Sequence, residues 1–181
     1  IKGYMINFYT LNNPDLIINL CELSDYCQIK HIVEHEKNIK TYCYAFILKN
    51  VPQIGNKIIN IGKDDCPNDC RVYRKGGHLP GWGIRNLGPN TSGIDMKKVV
   101  VDRTEKLYPT LTVHKDNIII HIWNTTDIVS EQYGVNPTIR LECKLFDEFN
   151  TLYGGIPIGN IQKPKRPKAG PTMDQFTLHF D

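Results

Sequence analysis

The sequence predicts an all-β protein, two antiparallel β-layers packed face to face and held by disulfide bonds. Three observations carry that expectation. Short strand-like runs separated by turn residues recur along the chain; the run "PTIRLECKLF" alternates Ile139, Leu141, Cys143 and Leu145 with Thr138, Arg140, Glu142 and Lys144; and "NIIIHIWN" sets Ile118, Ile120 and Ile122 on one parity with Ile119 and Trp123 on the other. A period of two gives a strand one buried face, whereas a helix would scatter the same side chains around its circumference. The two runs, joined by the turn-rich "TTDIVSEQYGVN", are therefore expected to form the inner wall of a β-sandwich.

A chain of 181 residues with 40% hydrophobic content suits one domain, able to bury roughly two-thirds of its unfolded surface. Residues 1–158 are expected to form that domain. After them, Lys163, Lys165, Arg166 and Lys168 alternate with Pro164, Pro167 and Pro171, so residues 159–181 read as a basic, proline-rich linker ending in a candidate edge strand, "MDQFTLHFD". No apolar run approaches the ~20 residues needed to cross a bilayer, and the absence of a signal peptide before Ile1 is what a processed chain would show. A net charge of +3 from 22 basic and 19 acidic residues gives no basis for a nucleic-acid partner, and attraction to an anionic membrane surface would have to be local. Six cysteines and two sequons, at Asn90 and Asn124, agree with the short strands on an oxidising compartment. Secretion or an endolysosomal lumen is the expected localisation.

Taken in order, "YMINFY" and "LIINL" read as short strands split by "NNPD". Cys21 and Cys27 enclose a loop that a disulfide closes readily, stabilising the fold by about 2 kcal/mol. "HIVEH", from His31 to His35, formally matches H-x-x-E-H, a motif that needs a helix to bring both imidazoles to one face and a third ligand from elsewhere. Short, and followed by the polar "EKNIK", it reads instead as a solvated loop or strand edge, and no metal site is assigned. "TYCYAFILKNV" is a strong strand ended by Pro52, and "NKIINIG" is a shorter one. Cys66 and Cys70, separated by Pro67, Asn68 and Asp69, favour a second local disulfide over a redox or metal pair. The glycine-rich stretch 76–97 is long enough to be a functional loop, and "KVVVD" and "TLTVH" follow it as further strands. No Ser/His/Asp set, carboxylate pair or phosphate loop stands out, so neither catalysis nor a cofactor is expected. No amphipathic helix longer than about two turns is expected either.

The order of these features resembles a known family. "INLCELSDYCQIK" resembles the early cysteine segment of the ML lipid-recognition family, "YAFILKNV" the strand that follows it, "DDCPNDCRVYRKGG" the second close cysteine pair, and "YGVNPTIRLECKLFDEFNTLYGGIPI" the closing hairpin. The resemblance covers roughly residues 16–75 and 115–158. It implies an immunoglobulin-like sandwich of two sheets, open at one edge, with an apolar cavity for a lipid or sterol and no catalysis. The chain departs from the family in lacking cysteines for the usual link between the N-terminus and the final strand, in a longer 76–110 stretch, and in the tail after Ile158. If Cys21 pairs with Cys27 and Cys66 with Cys70, Cys43 and Cys143 remain, one of the fifteen connectivities that six cysteines allow. A Cys43–Cys143 bond would then tie the sheets through the core; two buried thiols are the alternative.

The expected function is non-enzymatic carriage of an apolar small molecule, driven by removal of apolar area from water. Its expected wall comprises Ala45, Ile47, Val99, Val101, Leu111, Val113, Ile118, Ile120, Ile122, Ile139, Leu141 and Leu145, with Trp82 or Tyr108 near the mouth. The same residues could equally fill a solid core. A second reading is a lectin similar to the mannose 6-phosphate receptor homology domains, which "NPDLIINLC" and "TIRLEC" resemble; but Val135, Asn136 and Pro137 stand where an arginine is expected, and Arg71 replaces a glutamine. A third is a secreted module that meets a receptor or other partner through loop 76–97.

Overall fold

The computed structural model describes residues 9–23, 27–64, 106, 115–128, 136–160 and 163–164. Strands β1 (Leu16–Asn19), β2 (Tyr42–Val51), β3 (Gly55–Asp64) and β4 (Ile118–Asn124) form one antiparallel sheet in the order β1-β4-β2-β3. The strand-rich sequence thus produces the sheet expected of it, and each of these four runs was readable from alternation and turn residues. β2 and β3 form a hairpin in which Asn50, Gln53 and Gly55 take positive φ around Pro52, conformations that Asn and Gly adopt at low cost.

β2 is buried on both sides: every residue from Tyr42 to Leu48 is buried. On one face Tyr42, Tyr44, Phe46 and Leu48 pack with Ile18, Ile118, Ile120 and Ile122, and with Leu20, Ile29, Val33 and Ile39. Ile29 and Val33 belong to a helical segment, α1, that runs as an α-helix over Cys27–Lys30 and continues as a π-helix over His31–Glu36. "HIVEH" is therefore helical, not the loop or strand edge its polar flank suggested. The apolar i, i+4 pair Ile29 and Val33 gives it a face to bury.

The other face carries the larger correction. Residues Pro137–Tyr153, whose first ten read as a strand, form helix α2. Asn136 caps it, its side chain accepting from Thr138 N at 2.8 Å; Pro137 opens the first turn; and Gly154, at φ 76°, closes the end by donating to Asn150 O at 2.9 Å. Cap, first-turn proline and terminal glycine are the standard punctuation of a helix. Leu141, Leu145 and Phe149 recur at four-residue spacing and, with Phe146, pack on Cys43, Ala45, Ile61 and Trp123. A helix thus covers the face against which a second sheet was expected. No second sheet occurs among the described residues.

At the outer edge of β3 the chain returns after α2. Gly159 N donates to Ile59 O at 2.6 Å, and the Asn160 side chain both accepts from Ile61 N and donates to Ile61 O, each at 2.9 Å. A Cβ at Gly159 would collide with the Ile59 carbonyl. Gly159 and Asn160 are thereby bonded to β3.

Replacing Asn136 with Ala removes the cap acceptor and is expected to lower stability by about 1 kcal/mol, read by urea denaturation. A loss within error would mean that the cap contributes nothing to holding α2.

Candidate functional site

The hairpin register places Tyr42 opposite Asp64, Tyr44 opposite Gly62 and Phe46 opposite Asn60. Residues paired across an antiparallel ladder share a face, so these six occupy one side of the sheet beside Ile120 and Ile122. Tyr42, Tyr44 and Asp64 are 2%, 0% and 1% exposed. The Tyr42 hydroxyl donates to Asp64 Oδ2 at 3.4 Å. Its ring centroid lies 6.3 Å from that of Tyr44, which meets Phe46 edge-on at 5.5 Å.

Tyr44 lies across β3 directly over Gly62: a Cβ there would collide with the tyrosine hydroxyl and its ring carbon. Only glycine leaves that space. A carboxylate and two phenols on a face built mainly of aliphatic residues and Phe46 cost desolvation free energy that aliphatic residues would avoid. Such local departures from the hydrophobic pattern concentrate at functional sites. Sequence reasoning missed this cluster, although its signal is legible: Asn60, Gly62 and Asp64 alternate with Ile61 and Lys63 in β3.

Near the start of α2 the polar groups act as a structural clasp. Thr125 Oγ1 bonds to Thr138 Oγ1 at 2.7 Å and donates to Thr41 Oγ1 at 3.0 Å, linking the ends of β4 and β2 to the helix. The Cys43 thiol donates to Thr138 O at 3.3 Å. Cys43 and Cys143 are both buried thiols, so the expected disulfide between them is not formed. The physical reason is the helix, which carries Cys143 about 7.5 Å along its axis beyond Thr138. Cys21 is an exposed thiol in the turn Leu20–Glu22, so the expected Cys21–Cys27 bond is not formed either.

Among the described residues, the expected wall residues fall on both faces of the sheet. Ile118, Ile120 and Ile122 pack on the α1 side, whereas Ala45, Leu141 and Leu145 pack on the α2 side. Ile47 is buried in β2, and Ile139 is half-buried on α2. Trp82, Val99, Val101, Tyr108, Leu111 and Val113, the Cys66–Cys70 pair and the Asn90 sequon lie outside the described residues. Asn124 is half-buried at the end of β4, its side-chain oxygen accepting from Thr126 N at 2.9 Å. No described helix is long and apolar enough to cross a membrane.

On the α2 side, the β1 and β4 half of the sheet shows Ile17 at 53% exposure beside half-buried His121, its register partner. His121 Nδ1 has no hydrogen-bond partner among the described residues, and burial pushes the imidazole below its ordinary pKa.

Two measurements follow. Gly62→Ala is expected to cost about 1–3 kcal/mol by overpacking, and most of that cost should vanish in a Tyr44→Ala background; an undiminished cost there would show that Tyr44 is not what the added methyl meets. For His121, the unfolded chain binds a proton below about pH 6.5 that the folded chain resists, so stability falls as pH drops through that range. His121→Gln should flatten the fall in denaturation experiments between about pH 7.5 and 5, and equal slopes would clear His121 of it. Comparison with protein-family models, with curated proteins and with solved structures gives no match.

Proposed function

We propose that the protein binds a phosphate ester at the Tyr42, Tyr44 and Asp64 cluster. The observation that carries the reading is the burial of these three groups together on an aliphatic face, with Gly62 keeping the space that the Tyr44 hydroxyl occupies. The Tyr44 hydroxyl can donate to a phosphate oxygen, and the Asp64 carboxylate, which already accepts from Tyr42, can hold a cation that bridges to the same group. In the sequence Arg71, Arg74 and Lys75 follow Asp64 within eleven residues, and arginine suits bidentate recognition of phosphate.

A second reading, carriage of an apolar ligand, draws support from the β1 and β4 half of the sheet on the α2 side, where Ile17 is exposed beside half-buried Ile119 and His121. In that reading the ligand takes the place of a covering layer over β1 and β4, and the immunoglobulin-like sandwich implied by the family resemblance would need its second sheet from residues outside those described. The phosphate-ester reading is preferred because it accounts for side chains whose burial is otherwise costly.

Titration of the full chain with a chromogenic phosphodiester, with and without Mg²⁺, tests the proposal. Tyr44→Phe keeps the ring and is expected to weaken binding about tenfold, the worth of one hydrogen bond to a charged group, with the unfolding midpoint little changed. Absence of binding, or equal binding by Tyr44→Phe and Asp64→Asn, would sink it. Release of product during the same titration would show catalysis. Lipid recovered from the purified chain by native mass spectrometry would favour the second reading instead.

A further inference from the structure

Segment α1 buries Ile29 and Val33 and turns His31, His35 and Glu36 to solvent. His31 Nε2 lies 3.6 Å from Glu36 Oε1, with those two side chains 64% and 53% exposed. The imidazole centroids of His31 and His35 are 5.5 Å apart, with the ring planes 33° from parallel.

The π-helical winding is what gathers these three. Over His31–Glu36 the backbone follows i to i+5 bonding, continued by Lys37 N donating to Ile32 O at 3.0 Å. A turn of about 4.4 residues advances about 82° per residue, so positions i, i+4 and i+5 fall within roughly 80° of arc. In an α-helix, at about 100° per residue, Glu36 would stand about 140° away from His31. The extra residue in the turn therefore moves Glu36 onto the histidine face. Such π-turns are often found at functional sites.

We propose that His31, His35 and Glu36 form a surface site for a late first-row divalent cation of the Zn²⁺ or Ni²⁺ type. Imidazole nitrogens are the ligands these ions favour. With metal to nitrogen distances of about 2.0–2.1 Å, two imidazoles on one ion place their centroids about 5 Å apart, close to the spacing already present. No three His, Cys, Asp or Glu side chains among the described residues stand ready as a complete ligand set. The Glu36 carboxylate therefore closes onto the ion by side-chain rotation, for which its exposure leaves room, and water completes the shell. The site uses none of the residues of the phosphate-ester cluster and stands without it.

The test is titration of the full chain with Ni²⁺, followed by calorimetry and by paramagnetic broadening of amide signals. One equivalent should bind, with broadening centred on residues 31–36. His31→Ala and His35→Ala should each weaken that equivalent about tenfold or more, and Glu36→Gln should weaken it less. All three side chains are exposed, so the metal-free variants should unfold at the wild-type midpoint. Ni²⁺ binding that survives unchanged in the His31→Ala, His35→Ala double variant would place the ion elsewhere, such as on thiols, and overturn the proposal. Absence of broadening at residues 31–36 would overturn it as well.

Discussion

The whole architecture depends on β2 being covered from both sides. A strand that pairs with β3 on one edge and β4 on the other, and buries every side chain from Tyr42 to Leu48, has no solvent face on which to place polar residues. Its sequence follows from that constraint: aromatic and aliphatic side chains on the α1 side, and small ones, Cys43 and Ala45, where α2 comes down on the other. Small residues let the helix approach closely, and Leu141, Leu145 and Phe149 fill the space they leave. The clasp of Thr41, Thr125 and Thr138 then fixes where the helix begins relative to the strand ends.

Against this apolar background the polar groups of the hairpin stand out energetically. A buried carboxylate is tolerated only where hydrogen bonds or opposite charge offset its lost hydration. Asp64 receives the Tyr42 hydroxyl and sits at the last position of β3. Tyr44 is positioned between the rings of Tyr42 and Phe46, in the volume that Gly62 leaves open by contributing no side chain. The hairpin thus orients two phenols with little freedom to rotate. Preorganisation of that kind lowers the entropy lost when a ligand binds.

Much of the sheet was legible in the sequence, and the helices were not, for a physical reason. β2 and β4 are short apolar runs rich in β-branched and aromatic residues, β3 is a shorter one, and turn residues bound them. In the stretch after Asn136, the apolar residues Leu141 and Leu145 satisfy both a period of two and a four-residue helical spacing, and a window of about ten residues cannot separate them. Extending that window to Phe149 and weighing Asn136, Pro137 and Gly154 as cap, opener and stop would have favoured the helix. The disulfide expected between Cys43 and Cys143 fell with the strand, since it required both cysteines on facing sheets. The tyrosine and aspartate cluster is marked in the sequence only by the parity of Asn60, Gly62 and Asp64 in β3, a weaker signal than the aliphatic runs.

The return of the chain along β3 has a consequence for the molecule among its neighbours. The carboxamide of Asn160 presents to Ile61 one acceptor and one donor, which is what an incoming strand would present. That rim of the sheet is therefore already occupied by its own chain at this point, and a second molecule seeking to extend the ladder there would have to displace it. A single side chain acts as a plug against intermolecular β-pairing.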